Sequence, residues 1–125
     1  MEMGRLALVV LLCVACSKAE GAGAGALAAW KAAGLEPGTF QVTNGKPFAD
    51  GACRAGSVNA IAVTVCEYPD ADAAKRAEVA GMAQLQGATG LALAEGKLLL
   101  VLADPERKDP HGKTINQIAK VFRNR

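Results

Sequence analysis

Few side chains in this sequence have reactive chemistry, and their positions limit what it can do. There are four cysteines, Cys13, Cys16, Cys53 and Cys66, and a single histidine, His111. A histidine-rich metal cluster is therefore excluded, and a Ser-His-Asp arrangement would have only His111 to use. No G-x-S-x-G turn is present. Gly112-Lys113-Thr114 imitates the end of a phosphate-binding loop, but Arg107 stands where the leading glycine must be, so the motif fails. The Cys53–Cys66 spacing is far longer than the C-x2-4-C of zinc sites and lacks a nearby histidine. No cofactor or metal is implied, and no catalytic constellation is legible.

The most polar stretch runs from Asp104 to Lys113. It mixes both charges and ends where a helix begins. Backbone N–H groups at a helix start, with Arg107, Lys108, His111 and Lys113 around them, are the candidate contacts for an anion or small ligand. The competing reading is a solvated connection with a good helix cap. Glu67 and Tyr68 form a second candidate pair, explained as well by position alone.

The elements that must hold these residues can be read from periodicity. From Val58 onward, Ile61, Val63 and Val65 alternate as a strand does. Asn59-Ala60 fits a two-residue turn, since asparagine tolerates positive φ. With that turn, Val58 faces Ile61 and Cys53 falls opposite Cys66. Their pair is a non-hydrogen-bonded one, with Cα atoms about 4.5 Å apart and within disulfide range. A bridge here would stabilise the fold by roughly 3 kcal/mol on the chain-entropy model.

Ala26 to Ala33 reads as a helix with Leu27 and Trp30 on one side and Gly34 as a stop. Thr39 to Thr43 is a weak strand closed by Asn44-Gly45. Asp70 is a natural N-cap for a helix whose small face carries Ala73, Ala74, Ala77, Gly81 and Leu85 and which Gly87 ends. Leu91 to Asp104 reads as a second hairpin turning at Glu95-Gly96. Leu91, Leu93, Leu98, Leu100 and Leu102 then share a core face, and Leu99 and Val101 lie opposite, under the amino-terminal helix. Ile115, Ile118, Ala119 and Phe122 recur at helical spacing, with Asp109 as cap and Pro110 in the first turn. That helix is basic and amphipathic; core packing accounts for its apolar face better than lipid contact does. The fold class is therefore α+β: a small antiparallel sheet of two hairpins plus an extra strand, packed with three helices in the order α-β-ββ-α-ββ-α.

The chain's start carries an address. Met1 to Arg5 is short and polar, Leu6 to Leu12 is unbroken apolar sequence, and small Ala15 precedes Cys16. This is a signal peptide over residues 1–15, too short to cross a bilayer, which needs about 20 apolar residues. Leu12-Cys13-Val14-Ala15-Cys16 resembles the lipobox of bacterial lipoproteins, in which the cysteine after the cut is acylated. Cys13-x-Ala15 also fits the small-x-small site of ordinary signal peptidase; the cut would be the same and only the lipid would differ. Cysteine bookkeeping favours the lipid, because Cys53 and Cys66 pair and Cys16 would otherwise be an exposed thiol in an oxidising compartment. Residues 16–25 then form the lipidated cysteine and a flexible tether, and residues 26–125 a single domain.

The pattern from Cys53 through Cys66-Glu67-Tyr68 to Asp109-Pro110, Gly112-Lys113 and Ile115-Asn116 resembles a group of short lipoproteins of GC-rich Gram-negative bacteria. The resemblance spans most of the mature chain and implies location and fold, not an activity. Ser17 follows Cys16 where aspartate would signal inner-membrane retention, so the resemblance implies the outer membrane, facing the periplasm.

Composition narrows the task. The chain has 125 residues, of which 51% are apolar, enough for one core. A net charge of +2 and 4% aromatics give no concentrated basic face or stacking platform, so no nucleic-acid partner is expected. The expected partners are the membrane, through lipid on Cys16, and another envelope protein. The leading expectation is a non-catalytic accessory domain; the alternative is an anion or small-ligand binder using the 104–113 loop. An enzyme would need a carboxylate pair that spacing does not identify.

Overall fold

A computed structural model describes residues 23–43 and 51–125. The expected signal peptide, Cys16, the expected tether up to residue 22 and the expected Asn44-Gly45 turn lie outside the described residues. The described elements are α1 (Ala24–Ala32), β1 (Gln41–Thr43), β2 (Ala52–Val58), β3 (Ile61–Glu67), α2 (Ala71–Leu85), β4 (Thr89–Glu95), β5 (Leu98–Asp104) and α3 (Lys113–Asn124). The strands form one open sheet in the order β1-β2-β3-β5-β4, antiparallel at every step. This is an α+β fold with helices on both faces.

The β2–β3 hairpin has the register the spacing predicts. Val58 pairs with Ile61 and Cys53 with Cys66. Asn59 and Ala60 both take positive φ, 50° and 71°, as a type I′ turn requires. The Asn59 carboxamide oxygen also accepts the Glu36 N–H at 2.7 Å, which fastens the loop after α1 to this turn.

The second hairpin turns one residue later than expected. Its central residues are Gly96-Lys97, and Glu95 pairs with Leu98. Gly96 takes φ 61° as the first central residue, the place a type II′ turn reserves for glycine. The sequence Glu-Gly-Lys allows glycine in either central position. Pairing of β5 with β3, which sets Leu98 against Glu67 and Leu99 against Cys66, accompanies the second choice. The slip moves the pairing by two residues, so every side chain keeps its expected face.

On one face, Val58, Ile61, Val63, Val65, Leu100 and Leu102 form the main core with α1 and α3. Trp30 of α1 is fully buried there. Its ring stacks at 6.4 Å on both Phe40 and Phe122, and its Nε1 donates to the Ile118 carbonyl of α3 at 3.0 Å. The opposite face carries Cys53, Cys66, Leu99, Val101 and Ala92, and it is covered by α2, not by the amino-terminal helix. Helix size explains the assignment. The tryptophan needs a deep layer, whereas α2 offers Ala74 and Gly81 and can sit close to the strands. A Cβ at Gly81 would stand only 2.9 Å from the Ala92 Cβ.

Two helix starts differ from expectation. α1 begins at Ala24, two residues early, after Gly23 at φ 87°. α3 begins at Lys113, with Gly112 at φ 71° as N-cap, so Pro110 lies in a preceding turn. α2 starts as read: Asp70 accepts the Ala73 N–H at 2.8 Å. It ends in left-handed Gln86 and Gly87.

Candidate functional site

The cysteines meet. Cys53 and Cys66 form a disulfide with Cα atoms 4.0 Å apart, joining β2 to β3 inside the hairpin. The bridge is buried beside Tyr68, Ala74 and Leu99. Tyr68 is structural: it is buried, its N–H donates to the Lys97 carbonyl at 2.9 Å, and its ring fills the space above Gly51. Glu67 is exposed on β3.

The Asp104–Lys113 loop is organised by its own carboxylates. Asp104, almost fully buried at the end of β5, accepts the Lys108 N–H on Oδ1 at 2.8 Å and the Asp109 N–H on Oδ2 at 2.7 Å. Asp109, also buried, accepts the Ile115 N–H at 2.8 Å. It still caps α3, but from six residues upstream. An internal carboxylate thus occupies the position at the helix start where an outside anion would bind. Of the expected anion contacts, Arg107, His111 and Lys113 are exposed, with Arg107 at φ 57°; Lys108 pairs with Glu106 at 3.1 Å. Among the described residues, no hydrogen bond or ion pair joins these four to one another.

A surface that spacing did not single out lies beside this loop. Among the described residues, α2 covers the β4–β5 side of its face and leaves part of β2 and β3 open. There Ser57, Ala62 and Ala103 form one row across three strands, and Ala55 and Thr64 lie in the next row with Gln41 of β1. Ala62 is exposed although β3 is central, and Ala55, Ser57, Thr64 and Ala103 are half-buried. At the end of this strip is a recess of about 210 Å³, lined by Ser57, Ala62, Ala103, Asp104, Glu106 and Lys108 among others. That is below the roughly 300–1,000 Å³ of ordinary ligand pockets. Its charged lining has two carboxylates and one ammonium. Both Asp104 oxygens accept backbone N–H groups and Glu106 pairs with Lys108, so the carboxylates of the lining already have partners. The signal in the sequence was Ala, Ser and Thr at the non-core positions of β2 and β3, where a solvated strand face would carry longer polar groups.

Among the described residues, no three His, Cys, Asp or Glu side chains gather to hold a metal ion. No described helix is long and apolar enough to cross a membrane. Comparisons with protein-family models, curated proteins and solved structures gave no match.

Proposed function

We propose that this protein is a lipid-anchored domain of the bacterial envelope that binds another protein, without catalysis, through the uncovered part of its sheet. The observation that carries the reading is the strip of Ala55, Ser57, Ala62 and Thr64, small side chains left half-buried or exposed on β2 and β3, although the opposite face of β3 is packed with Ile61, Val63 and Val65. A flat surface of small groups lets a partner's backbone or helix approach closely. The cross-strand disulfide supports an oxidising compartment, where such bridges persist. The lipobox resemblance at Cys16 supplies the anchor, with the outer membrane facing the periplasm as its location. The alternative, an anion or small ligand on the 104–113 loop, has weaker support, because Asp104 already accepts two of the loop's backbone donors and Asp109 accepts one in the first turn of α3.

Two measurements test the halves separately. Cys16→Ser should release the protein from membranes and remove the acyl mass; an unacylated native protein refutes the anchor. For the surface, a photoreactive residue at position 62 in intact cells should give a cross-linked adduct of one defined mass. The same group at exposed Asp72 on α2 should not. No adduct at 62, or the same adducts at both, removes the binding reading.

A further inference from the structure

We propose that the outer edge of β4 docks a second copy of this chain, β4 against β4, antiparallel, about a two-fold axis through Ala92. This does not rest on the anchor or on the open strip.

Among the described residues, β4 is a seven-residue edge strand bonded only to β5. The opposite edge, β1, is three residues long. Proteins protect such edges with lysine, proline, bulges or short strands. β4 reads Thr-Gly-Leu-Ala-Leu-Ala-Glu, with no proline and its only charge at the end. In a two-residue hairpin the pair beside the turn is hydrogen-bonded, which here is Glu95 with Leu98. Alternation then turns the N–H and C=O of Gly90, Ala92 and Ala94 outward. About an axis at Ala92, that residue faces the partner's Ala92, and Gly90 faces the partner's Ala94. These are the outward-bonding residues, so their donors and acceptors meet in about six hydrogen bonds. Leu91 faces the partner's Leu93, Thr89 faces the partner's Glu95, and no like charges oppose.

A second observation falls on the same axis. Val79 and Met82 of α2 are 72% and 52% exposed and lie on one flank of the helix. The other flank carries half-buried Ala73, Ala77 and Ala80, and half-buried Glu78 lies between the sheet and the Met82 side. α2 packs on β4 and β5, and a right-handed β3–α2–β4 crossover turns the Met82 flank toward the β4 edge. Gly81 sits directly over Ala92, so Val79 and Met82 are level with the axis. With strands about 4.8 Å apart, two helices each lying over β4 and β5 come to about 10 Å across the axis. That is the usual helix-packing distance of about 8–10 Å. Lys75, at the far end of the flank, comes opposite the end of the partner's helix near Gln86, not another cation.

Sedimentation of the mature protein in mild detergent should show a monomer–dimer equilibrium. Ala94→Pro removes an outward donor at an edge, where proline is tolerated, and should give a monomer that melts like the wild type. Met82→Glu, at an exposed position, should weaken association at least about tenfold, or about 1.4 kcal/mol. Met82→Cys should form a disulfide-linked dimer under mild oxidation, and Lys120→Cys should not. A wild type that is monomeric throughout overturns the proposal, and so does a dimer undiminished in Met82→Glu.

Discussion

On one face of the sheet, Trp30, Phe122 and a row of branched side chains fill the space beneath α1 and α3. On the other, the filling is an alanine-lined helix, a disulfide and a glycine pressed against Ala92. The first face is held by volume, through large side chains with many contacts and one tertiary hydrogen bond from the indole. The second is held by close approach and a covalent link, because small side chains bury little area per residue. The difference also explains where the open surface lies. A layer that depends on close approach covers only the strands its helix touches, and part of β2 and β3 stays exposed.

Four substitutions test this contrast, from the largest effect to the smallest. Trp30→Ala should destabilise by about 3–5 kcal/mol, since it removes a fully buried aromatic and a bonded indole; chemical denaturation reads this directly. Replacing both Cys53 and Cys66 with serine should cost roughly 3 kcal/mol through the loosened unfolded chain. If reduction of the wild type leaves the melting temperature unmoved, the second face is not held by its cross-link. Gly81→Val should cost about 1–3 kcal/mol by pushing α2 off Ala92 and Val101. A neutral result would mean that this layer is loose enough to yield. Ala60→Gly has the opposite sign. Relief of left-handed strain, about 1–2 kcal/mol, exceeds glycine's entropy cost of about 0.5–1. A net gain of about 0.5–1 kcal/mol should appear as slower unfolding or a raised midpoint.

The β2–β3 hairpin was legible because its alternation, turn and cysteine pair agree on one register. The second hairpin was less so. Glycine in Glu95-Gly96-Lys97 serves either of two turns, and both put the same leucines on the core face. Asp109 was recognised as the cap of α3, but not its reach, because a compact turn brings it back over six residues. The same turn directs Asp104 onto the N–H groups of Lys108 and Asp109 in the loop, and Asp109 onto that of Ile115 in α3. The stretch that reads as an anion site from composition is therefore largely self-satisfied. The open strip left only Ala, Ser and Thr at the non-core positions of β2 and β3 as its mark in the sequence, and that these stay uncovered is visible only once α2 is placed.

The sequence by itself determined which residues form strands and helices, which side of each is apolar, and that Cys53 meets Cys66. These follow from periodicity and turn chemistry within about fifteen residues of chain. Only the tertiary structure decided which helix covers which face, that β5 lies between β3 and β4, and that β4 is left at an edge of the described sheet. Those depend on how much space each helix needs above the sheet, where Trp30 requires depth and Gly81 permits contact. That competition is settled between segments far apart in the chain.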